Sequence, residues 1–155
     1  MNKLGEFWLQ SATLGFFGYS PVAPGTVGSL LGTIFSCIIF FLFRQSVVSF
    51  LILFLIIFAV IACGVAANIL NEHDPACVIL DEFVAMPVCF FSIHYTSMWM
   101  FVYGFLLFRI FDILKPFGLK KLEKLPGGLG IVADDIGAAC YTNAVLRLIN
   151  FIFGI

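Results

Sequence analysis

The sequence predicts an all-α protein: a polytopic membrane helical bundle of about four to five transmembrane helices with an interfacial helix at its N-terminus. Of its 155 residues, 62% are hydrophobic and only 11% are charged, and the mean hydropathy is +1.12. In a soluble domain about a quarter of the residues are charged, and a chain this short would leave much apolar surface in water. Lipid is therefore the expected solvent, around one membrane-embedded domain that covers residues 1–155.

The same composition excludes other classes. The net charge is −1, so the chain has no basic field that would attract nucleic acid. The five cysteines show no paired or zinc-binding spacing and are expected to be buried as small apolar residues. No signal peptide is expected, because Glu6 precedes the apolar stretch and no cleavage site follows it.

Polar turns divide the chain into an interfacial segment and a series of membrane segments. Residues 7–19 are amphipathic enough to lie at the membrane interface. Two prolines and a glycine within 21–25 interrupt the apolar run, after which Thr26 is expected to cap a helix. Pro87 is expected to kink or shorten the third membrane segment. The expected membrane segments are 26–43, 47–70, 77–93, 98–114 and about 134–153.

Five crossings would place the two termini on opposite sides of the membrane. The loop 115–133 carries four lysines and one acid, which favours the cytoplasm. The turn at 71–76 and the N-terminus with Lys3 then lie on the same side, whereas Arg44 and His94 lie on the other. This topology brings the polar clusters of the chain to the cytoplasmic face, within roughly 10 Å of that interface in depth.

Six ionisable residues lie inside or at the ends of the predicted spans: five acids and one arginine. Such groups cost a few kcal/mol each in a membrane, so they are expected to be paired or functional. Arg109 and Asp112 are spaced i, i+3 and can pair. The remaining carboxylates repel one another unless a proton or a cation intervenes. The residues are Asp81, Glu82, Asp112, Asp134, Asp135 and Arg109.

A hard divalent cation with oxygen ligands, such as Mg²⁺, is one way to hold these acids together. In each pair of adjacent acids, one can bind the ion directly. The other can then support the groups that bind the ion without touching it. The alternative is that the acids end helices, since acids suit helix N-termini. That alternative suits Asp134 and Asp135 and partly Asp81, but it does not explain Asp112 near a helix C-terminus.

A second set of residues suits a phosphate group. The amides after Gly25, at a helix N-terminus, and the hydroxyls of Thr26 and Ser29 can bind phosphate, and Lys115 can add a positive charge. The alternatives are that Gly28 and the other glycines of this helix allow close helix packing and that the lysine snorkels to the interface. His73 and Asp74 fit a solvated turn better than a catalytic dyad.

Five blocks of sequence, taken in order, resemble the phosphatidylglycerophosphatase A family. They are SPVAPGTVGSL, HD, LDEFVAMP, FRIFDILKPF and GGLGIVADDIGA, and together they span residues 18–139. The resemblance implies an all-helical, magnesium-dependent enzyme of the bacterial inner membrane that converts phosphatidylglycerophosphate to phosphatidylglycerol. One departure is Ala85, where members often have glycine; alanine is small enough for the packing to survive.

Carried over position by position, the resemblance implies a metal centre and a set of substrate-binding residues. Asp81, Glu82, Asp134 and Asp135 would lie at the metal centre. Arg109, Asp112, Lys115, Thr26 and Ser29 would accompany them around the substrate phosphate.

The expected reaction is hydrolysis of a phosphate monoester at the membrane surface. Magnesium would activate the phosphate and water, Arg109 and Lys115 would stabilise phosphoryl charge, and Asp81 is a candidate base. A phospho-aspartate intermediate is equally permitted. The competing hypotheses are an ion- or proton-coupled transporter, which requires ionisable groups through the membrane depth, and a small structural subunit. The oligomeric state stays open.

Overall fold

The computed structural model describes residues 2–93 and 97–153. His94 and most of the turn predicted at 94–97 lie outside the described residues. The described part is helical and contains no β-strand, so the predicted all-α class is confirmed. The α-helices are α1 (Lys3–Ala12), α2 (Pro24–Leu42), α3 (Gln45–Leu70), α4 (Leu80–Cys89), α5 (Trp99–Leu114) and α6 (Gly128–Phe153), joined in part by 3₁₀ helices at Phe17–Tyr19 and Pro116–Lys124.

Three of the described helices are long and apolar enough to cross a membrane: α2, α3 and α6. The outer face of α3 carries an exposed apolar stripe in helical spacing, which water would not solvate but lipid would. The stripe consists of Phe50, Leu53, Phe54, Ile57 and Ile61. These features indicate a membrane-associated protein.

The predicted count of four to five transmembrane helices is not confirmed, because α4 is much shorter than its predicted segment 77–93 and α5, which matches the predicted 98–114 to within one residue, is shorter than the roughly 20 residues that cross a hydrocarbon core. α4 has 10 residues and α5 has 16. At 1.5 Å per residue, α4 is only about half as long as the hydrocarbon core of roughly 30 Å is thick. Pro87 lies inside α4, where the helix was expected to shorten.

Two polar residues of α6 allow α4 to end early. The last carbonyls of a helix lack partners within it, and in an apolar environment they must find partners elsewhere. Asn143 Nδ2 donates to the carbonyls of Val88, Cys89 and Phe91 at 3.3, 2.9 and 3.0 Å. Arg147 Nη2 donates to the Phe91 carbonyl at 3.0 Å, and its Nε donates to Asn143 Oδ1 at 2.7 Å. The polar side chains of α6 therefore cap α4.

The short helix α4 lies between α2, α3 and α6 and contacts all three. A Cβ atom at Gly28 of α2 would lie 2.8 Å from the Ile79 carbonyl, and one at Gly32 would lie 2.5 Å from the Phe83 carbonyl. The glycines thus let α2 and α4 approach closely, as the packing interpretation predicted. Ala85 is fully buried in this core.

Two predicted helix starts were wrong. α2 begins at Pro24, and its N-cap is Ala23 with φ 46° and no side-chain hydrogen bond, so Thr26 does not cap it. α6 begins at Gly128 rather than near residue 134. The close approach of Gly128 to the backbone of α3 at Val60 explains the early start, because only glycine leaves room there.

Candidate active site

The start of α2, the α3–α4 loop, the start of α4, the end of α5 and the second turn of α6 surround one cavity of about 240 Å³. We call it the main cavity. Eight of the predicted site residues line it: Gly25, Asp81, Glu82, Arg109, Asp112, Lys115, Asp134 and Asp135. The prediction that the polar clusters meet at one end of the bundle is therefore confirmed. The cytoplasmic position of that end stays a prediction.

Asp134 and Asp135 lie in the second turn of α6, and the first turn of that helix contains no acid. Both side chains are buried, with 7% and 4% of their surface exposed. The hypothesis that these two acids merely begin a helix is therefore wrong, since the N-terminal field of a helix acts mainly within its first turn. Asp81 and Glu82, in contrast, do lie in the first turn of α4.

Arg109 is the centre of one network in the main cavity. Its Nη1 atom lies 2.8 Å from Asp112 Oδ2 and 3.0 Å from Glu82 Oε1. The i, i+3 pair with Asp112 was predicted and is confirmed, whereas the pairing with Glu82 was not predicted. Arg109 thereby links the end of α5 to the start of α4.

Ser29 supports this network from outside the cavity lining. Its hydroxyl donates to the Gly25 carbonyl at 2.8 Å and accepts from Arg109 Nη1 at 3.2 Å. The side chain is fully buried, so in this structure it positions Arg109 and does not face the main cavity. Thr26 lies half-buried in the first turn of α2 and is likewise not among the residues that line this cavity.

Lys115 forms a second network. It follows the end of α5 with φ 44°, and its Nζ atom lies 2.6 Å from Asp134 Oδ2 and 2.5 Å from Glu123 Oε1. Burial lowers the pKa of Lys115, but the hydrogen bonds and charges of Asp134 and Glu123 outweigh it and raise that pKa above its usual value. The side chain therefore stays positively charged at neutral pH.

Glu123 was missed by the sequence analysis. It lies in the 3₁₀ helix Pro116–Lys124, and its one available signal was that it is the only acid among the three lysines of that segment. Asp74 was also given no role, yet it lines the main cavity from the α3–α4 loop. His73, beside it, lines a smaller adjoining cavity.

The carboxylate of Glu82 packs against two glycines of α2. A Cβ atom at Gly25 would collide with the Glu82 carboxylate, and one at Gly28 would lie 3.0 Å from Glu82 Oε2. Glycine at these two positions therefore leaves the space that this carboxylate occupies. The glycines serve helix packing and the geometry of the site at once.

Two carboxylate oxygens of the site lack a hydrogen-bond partner in the part of the chain that the structure describes. Asp81 Oδ1 and Glu82 Oε2 are buried without a hydrogen bond within the described residues, although an unsatisfied buried acceptor costs about 1–3 kcal/mol. Hard divalent cations prefer carboxylate oxygens, so this donor set fits such an ion. As the side chains stand, the described residues form no ready group of three or more acid, histidine or cysteine ligands.

Comparisons with known proteins agree on one family. Residues 10–150 match the family described as phosphatidylglycerophosphatase A. The phosphatidylglycerophosphatases A of Haemophilus influenzae and Escherichia coli are 35% and 34% identical to this chain, over 83% and 96% of it and 80% and 86% of their own lengths.

A protein of Bacteroides thetaiotaomicron, provisionally named a phosphatidylinositol-3-phosphatase, is 33% identical over 88% of this chain and 89% of its own length. No solved structure matches the chain. The family match covers most of the chain and all eight lining residues of the predicted site. The chain therefore belongs to the phosphatidylglycerophosphatase A family.

Proposed function

We propose that this protein is a membrane phosphatase that hydrolyses the terminal phosphate of phosphatidylglycerophosphate to give phosphatidylglycerol. The observation that carries the proposal is the main cavity, which combines two cationic side chains with buried carboxylates at one end of an apolar bundle. The substrate is a lipid whose phosphate lies at the membrane surface, so a polar cavity at the end of the helices suits it. The family membership and the names of the Haemophilus and Escherichia relatives support the same substrate.

We further propose that the enzyme depends on Mg²⁺ held by residues among Asp81, Glu82, Asp134 and Asp135. The unpaired oxygens Asp81 Oδ1 and Glu82 Oε2 support this assignment. When bound, the ion supplies Lewis-acid activation of the phosphate ester and of water.

Arg109 and Lys115 stabilise negative charge on the phosphoryl oxygens in this proposal. Every contact that Arg109 makes to Glu82, Asp112 and Ser29 uses Nη1. A guanidinium carries five N–H donors, so those on Nε and Nη2 remain for the phosphate. The Lys115 ammonium has three donors, and Asp134 and Glu123 accept two of them.

The attacking group is either a water molecule or an aspartate. In the first case Asp81, with its unpaired oxygen, accepts the proton of the water. In the second, an aspartate attacks phosphorus and a phospho-aspartate forms before hydrolysis. Inversion at a chiral thiophosphate substrate would support direct attack by water, whereas retention or a trapped acyl phosphate would support the covalent route.

We place the site at the cytoplasmic face of the bacterial inner membrane. Lys120, Lys121 and Lys124 are exposed on the 3₁₀ helix beside the main cavity, and lysine-rich segments favour the cytoplasm. In a variant whose five native cysteines are replaced, because Cys140 is exposed, a cysteine introduced by Lys121→Cys should react with an impermeant maleimide only after the cells are broken. Labelling of intact cells would place the site on the other face.

Phosphatidylinositol 3-phosphate is a second candidate substrate, favoured by the name of the Bacteroides relative. The transporter hypothesis is not favoured: α3 carries no acidic or basic residue between Gln45 and Leu70, and the relatives are phosphatases by name. Phosphate release by purified protein from each of the two lipids, with identification of the lipid product, tests the proposed function. Release from neither lipid would contradict it.

A further inference from the structure

A second, smaller cavity of about 130 Å³ adjoins the main cavity. We call it the side cavity; its lining consists of His73, Asp74, Glu123, Gly130, Ile131 and Asp134. We propose that the side cavity binds a free hydroxyl group on the carbon next to the phosphorylated carbon of the substrate. His73 and Glu123 would then determine specificity for a polyol phosphate, an inference that rests on the proposed lipid phosphatase function.

The two cavities are direct neighbours. Asp74, Ile131 and Asp134 line both of them. Lys115 lies at their boundary, because its ammonium group contacts Asp134 on one side and Glu123 on the other. A substrate whose phosphate lies in the main cavity would therefore extend its neighbouring carbon atoms into the side cavity.

The linings of the two cavities differ in charge. Carboxylates line both cavities, six in the main cavity and three in the side cavity, but the cations Arg109 and Lys115 line the main cavity and the side cavity has an imidazole instead. Carboxylates repel a phosphate but accept hydrogen bonds from hydroxyl groups, and an imidazole either donates or accepts one. The two cations therefore favour the phosphate in the main cavity, and the side cavity, whose lining within the described residues has no lysine or arginine, favours a neutral, hydroxylated group.

The polar groups of the side cavity are available for a ligand. His73 and Asp74 are exposed, and within the described residues neither side chain makes a hydrogen bond or an ion pair. Glu123 uses Oε1 for Lys115, which leaves its second oxygen. The volume of about 130 Å³ is a few times the roughly 30 Å³ that one water molecule occupies in the liquid, so a small hydroxylated fragment fits.

The main cavity contains an unsatisfied polar group of its own. Asp81 lines the adjoining main cavity, is 5% exposed and has one oxygen without a partner. The main cavity thus holds a buried acceptor that is free for the proposed metal ion or water, and the side cavity holds polar side chains that are free for a hydroxyl group. This arrangement suits one ligand that occupies both cavities.

Phosphatidylglycerophosphate and phosphatidylinositol 3-phosphate share the chemistry that the side cavity selects. In both, the carbon next to the phosphorylated carbon carries a free hydroxyl group. In phosphatidic acid the corresponding oxygen is esterified by an acyl chain. The side cavity would therefore select polyol phosphates over phosphatidic acid, but it would not distinguish a glycerol headgroup from an inositol headgroup.

The test measures kcat/KM for these three lipids in mixed micelles with wild-type protein, His73→Ala and Glu123→Gln. Glu72→Gln serves as the matched control, because Glu72 is an exposed acid of the same loop that lines neither cavity. Since a hydrogen bond to a neutral group is worth about tenfold in binding, we expect the preference for the polyol lipids over phosphatidic acid to fall about tenfold in His73→Ala. It should fall less in Glu123→Gln, whose amide can still bind a hydroxyl group. Glu72→Gln should keep the wild-type preference.

A ratio is the readout because Glu123 also contacts Lys115, so Glu123→Gln can lower all three rates together. Inhibition by sn-glycerol 3-phosphate and by propyl phosphate provides a second comparison, since these two differ only in their hydroxyl groups. Equal inhibition of the wild type by both compounds, or an unchanged lipid preference in both variants, would overturn the side-cavity proposal. If the preference falls for only one of the two polyol lipids, the side cavity binds the headgroup of that lipid alone. Wild-type protein that releases phosphate from none of the lipids would overturn the proposed function itself.

Discussion

The ammonium group of Lys115 lies 2.6 Å from Asp134 Oδ2, which ties the end of α5 to the second turn of α6. The same ammonium contacts Glu123 in the connecting 3₁₀ helix. Three successive elements of the chain therefore meet at one positive charge beside the main cavity. The position of Asp134 depends on this contact, and so does the availability of Lys115 to a phosphate.

Removal of the Lys115 charge should impair catalysis more than folding. In Lys115→Ala, Asp134 and Glu123 lose their common partner and the phosphoryl oxygens lose a donor, so kcat/KM should fall by about 100-fold. Lys120→Ala is the matched control, because Lys120 is exposed on the adjoining 3₁₀ helix. Similar rates for the two variants would show that Lys115 takes no part in the reaction.

Arg109→Lys should also lower activity, although it keeps the positive charge. An ammonium lacks the planar fork of the guanidinium and cannot serve Glu82, Asp112 and Ser29 while donating to a phosphate. We expect kcat/KM to fall by roughly tenfold or more with the fold retained in circular dichroism. Arg44→Lys, at the exposed N-cap of α3, should behave as the wild type; full activity in Arg109→Lys would argue against a role for the fork.

Gly25→Ala tests the contact between α2 and Glu82. The added methyl group would collide with the Glu82 carboxylate, which must then move away from Arg109. Activity should fall by about tenfold or more, since small displacements of catalytic groups are costly. Leu30→Ala, on the exposed face of the same helix, is the control. Equal phosphate release by both variants would contradict this geometry.

Asn143→Ala tests the cap that ends α4. The carbonyls of Val88, Cys89 and Phe91 would lose a donor, so the free energy of unfolding should fall by about 1–3 kcal/mol. The measurement is the thermal unfolding midpoint in detergent. Leu148→Ala, at an exposed position of the same helix, should change that midpoint little, and an equal shift in both variants would mean that the cap is not important for stability.

Local signals in the sequence were enough to predict the fold class and most of the residues that line the main cavity. Long apolar runs separated by polar turns predict helices, and charges inside such runs are few and costly, so the six ionisable residues could be selected from the sequence. The Arg109–Asp112 pair follows from helical spacing alone. The convergence of these residues at one end follows from alternating helix directions.

The errors arose where contacts between distant residues decide the structure. Residues 115–133 have the composition of a loop, but the packing of Gly128 against Val60 starts α6 six residues early. The cap of α4 depends on Asn143, more than 50 residues away from the carbonyls it binds. Glu123 and Asp74 have no local pattern that assigns them to a site; only the tertiary structure brings them beside Asp134.

The most direct test of the central claim is phosphate release from phosphatidylglycerophosphate by purified protein in detergent. The assay compares added Mg²⁺ with added EDTA, for the wild type, Asp134→Asn and the control Glu72→Gln. We predict release by the wild type and the control only with Mg²⁺, and a loss of at least about 100-fold in Asp134→Asn. Release that continues in EDTA, or that survives Asp134→Asn, would contradict a metal-dependent reaction at these acids.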